Sequence, residues 1–489
     1  MLEALQNAFF QTGDALTTWL SAFSSFLWGW PLLIMLLGTH LYLTIILRFP
    51  QRYLLKALKL YFVKDHTDKG DISPFSSLMV ALAANIGAGN IIGVGVAIAA
   101  GGPGAIFWCW LTGVLGMATR YSEGLLAIKY RVENKDGNMS GGPMFVLERG
   151  MKCKWLGVAF AVFTAIAAFG IGNLTQGNAA AEQLHHAFSI PSWGTAIVLT
   201  VLTAMVMLGG IRSIARVCAF FVPFMAVIYI LGCLYILAVQ ADYVLPAIRY
   251  ILDCAFTGEA AAGGVVGAAV MTAMRTGVAR GLFSNEAGLG SAAIASAAAQ
   301  NRNPVRQALI SSSGPFWDTV VICALTGIVL TTSIIAHPDI SCSDGPKLTT
   351  LAFSKIPYMG SPLLTLSLVT FVVSTILGWS YFGEKALEYL GGVRLIKPYR
   401  VIWVGAVFAG SSVIWEVESW SLLRATATHF CITTPTFWVV SLLLGWCGLN
   451  LWGALSYLGI FLAIYVSIWL SQYFAYRRKI EKINRNLPQ

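Results

Sequence analysis

Ala83-Ala-Asn-Ile-Gly-Ala-Gly-Asn-Ile-Ile-Gly93 lies in the middle of an apolar run that would otherwise form one unbroken membrane helix. Gly87, Gly89 and Gly93, bracketed by Asn85 and Asn90, make it a poor one. Each glycine costs a helix about 1 kcal/mol relative to alanine. In hydrocarbon, every backbone group that a break releases must find another partner. Such backbone is tolerated at membrane depth where it lines a cavity or binds a ligand. The alternative is a glycine seam for close helix packing. The stretch alone supports both readings, so the rest of the chain has to separate them.

Working outward, the composition is that of a membrane protein. Of 489 residues, 57% are hydrophobic and 11% charged, which excludes an ordinary soluble domain. Apolar runs of roughly 18 residues or more, each long enough for a ~30 Å hydrocarbon core, recur throughout. The net charge of +10 does not point to nucleic acid, because the basic residues sit in short clusters between the apolar runs. The 9 cysteines are scattered without a C-x-x-C pair, so neither a disulfide framework nor a metal centre is expected. No nucleophile–base set, P-loop or HExxH motif is present, which argues against an enzyme and against an organic cofactor.

The basic clusters orient the chain. The first 47 residues contain Glu3 and Asp14 but no Lys or Arg; Arg48 is the first basic residue. The N-terminus is therefore expected outside, with a first span from about Phe26 to Leu47. Further spans are expected near Pro74–Ala99, Ala105–Ala127, Trp155–Ala180, Trp193–Leu208 and Val217–Val239. A Gly/Ala-rich span follows from about Ala261, then spans near Ser311–Ile335, Pro362–Leu387 and Val401–Trp415. The connections around Asp242 and around Cys342, Pro346 and Pro357 read as loops, and Gly141–Arg149 as a short interfacial helix. Only Arg249, Lys347, Lys355 and Arg424 then fall in outside loops. Charge parity favours one last span near Leu451–Ser471, an external or partly inserted helix at Thr434–Trp446, and a cytoplasmic C-terminal tail. The total is about eleven spans in an all-α integral protein of the cell (inner) membrane.

Leaving out the first span, five crossings precede the loop near Asp242 and five follow it, starting from opposite sides. The first helix of each set is glycine-interrupted: Asn85–Asn90 in one, Asn285-Glu-Ala-Gly-Leu-Gly-Ser291 in the other. Paired broken helices in inverted halves mark a transport site. The expected division is residues 1–73 as an external segment, extra helix and basic stretch, 74–240 and 241–475 as five-helix repeats, and 476–489 as the tail. A half-helix that starts inside the membrane offers N–H groups to a carboxylate. One that ends there offers carbonyls to Na⁺ or an ammonium group. Asn173 and Gln176, three residues apart, could reach the substrate or merely bond a neighbouring helix. Thr375 and Trp379 share a helical face, beside Ser374, and could form one cavity wall. Among ionisable residues at depth, Glu286 reads as an ion pair with Arg275 or Arg280, or as a proton-coupling site. Asp318 and Glu384 read as capping or pairing groups, Glu123 as a partner of Arg120, and His185-His186 as a solvated pair.

These residues resemble the alanine/glycine:cation symporter family over nearly the full chain. The matching runs are Asn85–Gly93, Gly101-Gly-Pro-Gly-Ala-Ile-Phe-Trp108, Gly141-Gly-Pro143, Arg280-Gly-Leu-Phe-Ser-Asn-Glu-Ala-Gly-Leu-Gly-Ser291 and Thr375-Ile-Leu-Gly-Trp-Ser-Tyr-Phe-Gly-Glu384. The resemblance implies a LeuT-like five-plus-five inverted repeat with an extra N-terminal helix, and Na⁺-driven uptake of alanine or glycine by alternating access. It places the substrate backbone at Gly87, Ala88 and Gly89, with Gln176, Thr375 and Trp379 around it. Asn173, Phe283 and Ser284 complete the expected substrate set. It implies a Na⁺ site from carbonyls near Ala83 and Ile86 with hydroxyls of Ser374 and Thr375. Ala88 stands where many members carry Thr or Ser, which removes one polar contact. The region beyond Trp415 is longer than the family's usual pattern. Proton coupling and a passive channel are the alternatives to Na⁺ symport; the expected partners are a small neutral amino acid, the coupling ion and the lipid bilayer, with the oligomeric state open.

Overall fold

The computed structural model describes residues 18–63, 70–207, 209–257, 266–340, 345–411 and a few positions between 458 and 466. The last expected span, the helix at Thr434–Trp446 and the basic tail lie outside the described residues. The described chain is almost wholly helical. Its first half contains α1 (Thr18–Ile46), α2 (Pro74–Asn85), α3 (Gly89–Gly101), α4 (Ala105–Tyr130), α5 (Lys154–Phe188), α6 (Ser192–Met207) and α7 (Gly210–Val239). Then follow α8 (Ala241–Phe256), α9 (Val266–Asn285), α10 (Ala293–Ala297), α11 (Pro304–Ala336), α12 (Gly345–Ser354), α13 (Gly360–Gly391) and α14 (Ile396–Ser411). One small hairpin pairs Val132–Glu133 with Met139–Ser140, and a short helical segment runs from Pro143 to Gly150.

Local chemistry sets the helix boundaries. Ser73 caps α2, its hydroxyl accepting the Ser76 N–H at 3.0 Å, with Pro74 where no N–H is needed. Asn303 and Pro304 start α11 in the same way. Gly102, at φ 72°, ends α3 in a conformation that only glycine adopts without strain. The last carbonyl of the short α10, Ala297 O, is met by Arg131 at 2.9 Å, which also donates to Ala299 O just beyond the helix at 2.7 Å.

Among the described residues five helices, α1, α5, α7, α11 and α13, are long and apolar enough to cross a bilayer. The α2–α3 pair, bent by 57°, makes a sixth if counted as one span. The two extremes show where the bundle has its centre. On α1, Ile34, Met35, Leu41 and Ile45 are exposed, as suits a lipid-facing helix. On α13, every residue from Ser374 to Ala386 is buried. The α13 helix packs against α2, α5 and α7, and α4 against α9 and α11. Such contacts need small residues. A Cβ on Gly378 of α13 would lie 2.4 Å from the Ala84 nitrogen of α2, and one on Gly277 of α9 would lie 2.1 Å from the Ala105 carbonyl of α4.

Two expected loops are helices. The segment after Asp242 forms α8, which buries Ala247, Ile251, Cys254 and Ala255 on one face. The segment after 344 forms α12, which buries Leu348, Ala352 and Phe353 and donates the Thr349 hydroxyl to Ile91 O on α3 at 3.2 Å. Counting charges between crossings cannot detect amphipathic helices that lie along the bundle; their three-to-four-residue apolar spacing does. The contact between α13 and α2 yields a stability prediction. Gly378→Val forces overpacking worth about 1–3 kcal/mol. It is expected to lower the thermal midpoint of the detergent-purified protein by several degrees; an unchanged midpoint overturns the close contact.

Candidate functional site

The helical hydrogen-bond ladder stops between Asn85 and Asn90. Ile86 takes a non-helical conformation (φ −81°, ψ 95°), after which the chain resumes as a wide π-turn at Gly89–Gly93. In a continuous helix the N–H groups of Gly87, Ala88 and Asn90 would bond the carbonyls of Ala83, Ala84 and Ile86. Instead the Gly87 N–H goes to Asn90 Oδ1 at 3.1 Å and the Ala88 N–H to Gln176 Oε1 at 3.2 Å. The Asn90 N–H goes to the Gly87 carbonyl at 3.0 Å. The Ile86 carbonyl, deprived of its helical donor, faces α13, where it accepts from Ser374 Oγ at 3.3 Å and Thr375 Oγ1 at 3.1 Å. Both hydroxyls also lie within hydrogen-bond distance of Phe371 O, at 2.8 and 3.0 Å. Each therefore divides a single proton between two carbonyls, which makes the spot rich in oxygen lone pairs.

The second break mirrors this economy. Asn285 ends α9, and Glu286 sits at φ 52°, a left-handed conformation uncommon for a residue with a Cβ. The Ala287 N–H is taken by Asn285 Oδ1 at 2.9 Å and the Gly288 N–H by Glu123 Oε1 at 2.8 Å. Glu123 pairs with Arg120 at 3.4 Å, as the sequence suggests. The Glu286 carboxylate accepts the Ser291 hydroxyl. The two breaks are joined directly, because Asn85 Nδ2 donates to the Asn285 carbonyl at 2.8 Å.

A cavity of about 250 Å³ opens between the breaks. Gly87 and Gly89 form part of its wall, Gln176 comes from α5, and Thr375 and Trp379 come from α13. Phe283 and Ser284 face it from α9. A Cβ on Gly87 would lie 2.6 Å from Thr375 Oγ1, so glycine there is a requirement of space. Ala88 reaches the site through its N–H, and Ala83 is buried in α2 one turn before the break.

Other placements differ from the sequence reading. Asn173 is not among the cavity-lining residues; its Nδ2 donates to Trp403 O on α14 at 3.0 Å. The reason is a π-turn at Gly170–Leu174, whose wider winding separates Asn173 from Gln176 although they are only three residues apart. Arg280 and Glu286 form no ion pair, and Arg275 donates to Ser25 O at 3.4 Å. Asp318 caps no helix end: it lies on a π-segment within α11, fully buried. It receives Asn90 Nδ2 at 2.6 Å, Ser284 Oγ at 2.8 Å and Thr319 Oγ1 at 2.7 Å. Glu384 does pair, accepting Arg400 Nε at 2.7 Å and Nη2 at 2.9 Å. His185 and His186 lie in the last turn of α5, exposed. Asp318 and Arg280 are the site-adjacent residues that sequence reasoning did not place; the available sign was a charged residue inside an apolar run.

With this geometry in hand, the comparisons agree with one another. A profile of the Sodium:alanine symporter family matches residues 13–447. The sodium/alanine symporter AgcS of Methanococcus maripaludis is 49% identical over 406 residues, covering 81% of this chain and 89% of its own. An uncharacterized transporter of Haemophilus influenzae is 49% identical over 407 residues, with the same coverage, 81% and 89%. The amino-acid carrier protein AlsT of Bacillus subtilis is 33% identical over 401 residues, covering 81% and 84%. The crystal structure of MhsT in complex with L-phenylalanine superposes with a TM-score of 0.51 at 13% identity, over 83% of this chain and 99% of that one, a likeness of fold. The fold is LeuT-like, and the molecule is a multi-pass membrane transporter rather than an enzyme. By profile match and by full-length relatives alike, this chain belongs to the sodium:alanine symporter family.

Proposed function

We propose that the protein is a sodium-coupled symporter that brings small neutral amino acids, alanine or glycine, into the cell by alternating access. The observation that carries this reading is the Ile86 carbonyl, freed by the glycine break and facing the Ser374 and Thr375 hydroxyls beside the cavity. Neutral carbonyl and hydroxyl oxygens suit Na⁺, and carbonyls at a helix break are the usual source of such ligands. Ala83, one turn earlier, contributes a carbonyl whose helical donor, the Gly87 N–H, is committed to Asn90. A cation there would share Thr375 with the wall of the substrate cavity, which couples the two ligands through a common residue.

The substrate backbone lies against Gly87, Ala88 and Gly89, within reach of Gln176, Ser284 and Thr375. Phe283 and Trp379 close the side-chain end. A cavity of about 250 Å³ whose wall includes the rings of Phe283 and Trp379 favours a short side chain. The chain crosses the cell membrane about eleven times as an extra N-terminal helix and two inverted five-helix repeats, 74–240 and 241–475. Its N-terminus is outside and its C-terminus cytoplasmic. A passive channel would need a continuous polar lining, whereas the cavity wall includes Phe160, Phe163, Ala167 and Leu289. Proton coupling is the second reading, motivated by Glu286 and Asp318, both buried beside the site.

Three measurements test the reading. In proteoliposomes holding the full chain, an inward Na⁺ gradient is expected to drive labelled alanine or glycine uptake at least about tenfold above the gradient-free level. Uptake driven by a proton gradient alone would move the coupling to the carboxylates, and uptake indifferent to both gradients would end the symport reading. Ser374→Ala combined with Thr375→Ala removes two oxygens from the cation position and is expected to raise the half-saturating Na⁺ concentration by about tenfold or more. An unchanged Na⁺ dependence removes these hydroxyls from the cation site. Trp379→Ala enlarges the pocket and is expected to improve inhibition by leucine and phenylalanine by about tenfold. Unaltered inhibition means that Trp379 does not set side-chain size.

A further inference from the structure

The cavity wall carries one cation whose donors nothing in the described protein accepts. Arg280, five residues before the second break, reaches from α9 to the backbone of the first broken helix. A Cβ on Gly89 would lie 2.4 Å from Arg280 Nη2, and one on Gly93 would lie 2.4 Å from Nη1. The two glycines thus admit the guanidinium. Its Cζ stands 5.6 Å from the centroid of the Phe283 ring. Among the described residues it makes no hydrogen bond or ion pair, and its Nε is buried without an acceptor.

The neighbouring carboxylates do not use it. Asp318 acts on Arg280 electrostatically, but its oxygens are taken up by Asn90, Ser284 and Thr319. Glu286 lines the same cavity, yet its only side-chain hydrogen bond among the described residues is from Ser291. Arg280 is half-buried: its Nε is shut in without an acceptor, which is costly, while its Nη groups stay accessible to an arriving ligand. Meanwhile the amides expected to receive a carboxylate are in use: the Gly87 N–H is donated to Asn90 and the Ala88 N–H to Gln176.

We infer that Arg280 is the carboxylate-recognising residue of the cavity, donating its guanidinium N–H groups to the carboxylate of the transported amino acid. A planar fork of donors matches a carboxylate in a way that a lysine cannot. The site therefore takes ligands with a free carboxylate and discriminates against their amides, although the ammonium group and side chain are unchanged. Arg280 acts on specificity at the same site as the proposed amino-acid transport and rests on that reading.

The test uses the purified full-length protein in detergent with Na⁺ present. A thermal-shift screen of the twenty proteinogenic amino acids identifies the ligand. A hit other than alanine or glycine overturns the proposed substrate class but leaves Arg280 to be tested on that hit; no hit at all overturns both. Competition against the labelled ligand then compares the amino acid with its amide, for example alanine with alaninamide. The wild type is expected to favour the acid by tenfold or more. Arg280→Met is expected to weaken the acid by tenfold or more and the amide by less than twofold, so the preference collapses, while Arg280→Lys is expected to fall between. No acid-over-amide preference in the wild type overturns the inference. So does a preference that survives Arg280→Met, or an equal loss of both ligands, which would make Arg280 a packing residue. If Arg280→Met is not monodisperse, the wild-type and Arg280→Lys preferences decide: the inference requires the first to be strong and the second weaker.

Discussion

An interrupted helix buried in apolar surroundings cannot leave its backbone groups unsatisfied, and the whole site follows from how this chain meets that requirement. Three ladder bonds, those of the Gly87, Ala88 and Asn90 N–H groups, are lost at the break, and the released groups recruit partners from three sources. Asn90 folds back on the Gly87 N–H, Gln176 of α5 takes the Ala88 N–H, and Ser374 and Thr375 of α13 meet the Ile86 carbonyl. The break therefore fixes α5 and α13 around itself. Each partner is also a group able to meet a ligand, so satisfying the fold and forming the binding surface are one arrangement.

The second break is tied to the first by polar links rather than by shape alone. Asn85 bonds the Asn285 carbonyl, and Asn90 bonds Asp318, which holds Ser284 two residues before Glu286. A change in the conformation of one break must therefore rearrange bonds of the other. Glu286 in a left-handed conformation, stabilised by Ser291, is a strained point from which such a rearrangement can start. Buried networks joining two elements in this way favour discrete arrangements, the condition that the proposed alternating access requires.

Several features were readable without coordinates because they depend on composition and spacing. The pair of glycine-interrupted segments, the approach of Thr375 and Trp379 to one wall, and the Arg120–Glu123 partnership all appear in the structure as the sequence suggests. Other features were not readable. Asn173 and Gln176 stand three apart, which reads as one face of an α-helix, but Asn173 lies within the π-turn Gly170–Leu174 and bonds Trp403 instead. The segments after Asp242 and after 344 lack the charge changes that mark crossings, so their helices were missed although their apolar spacing was present.

That the chain lives in a bilayer, where its helices break and which family it resembles are all written in its residues. These depend on hydropathy, on glycine and on short motifs, all local properties. Packing alone sets which groups the break recruits, that the amides of Gly87 and Ala88 are already committed, and that Arg280 remains uncommitted in the cavity. Such facts concern pairs of residues far apart in the chain, such as Ala88 with Gln176 or Gly93 with Arg280. No periodicity records them, because which donors are left over depends on what every neighbouring helix has already taken.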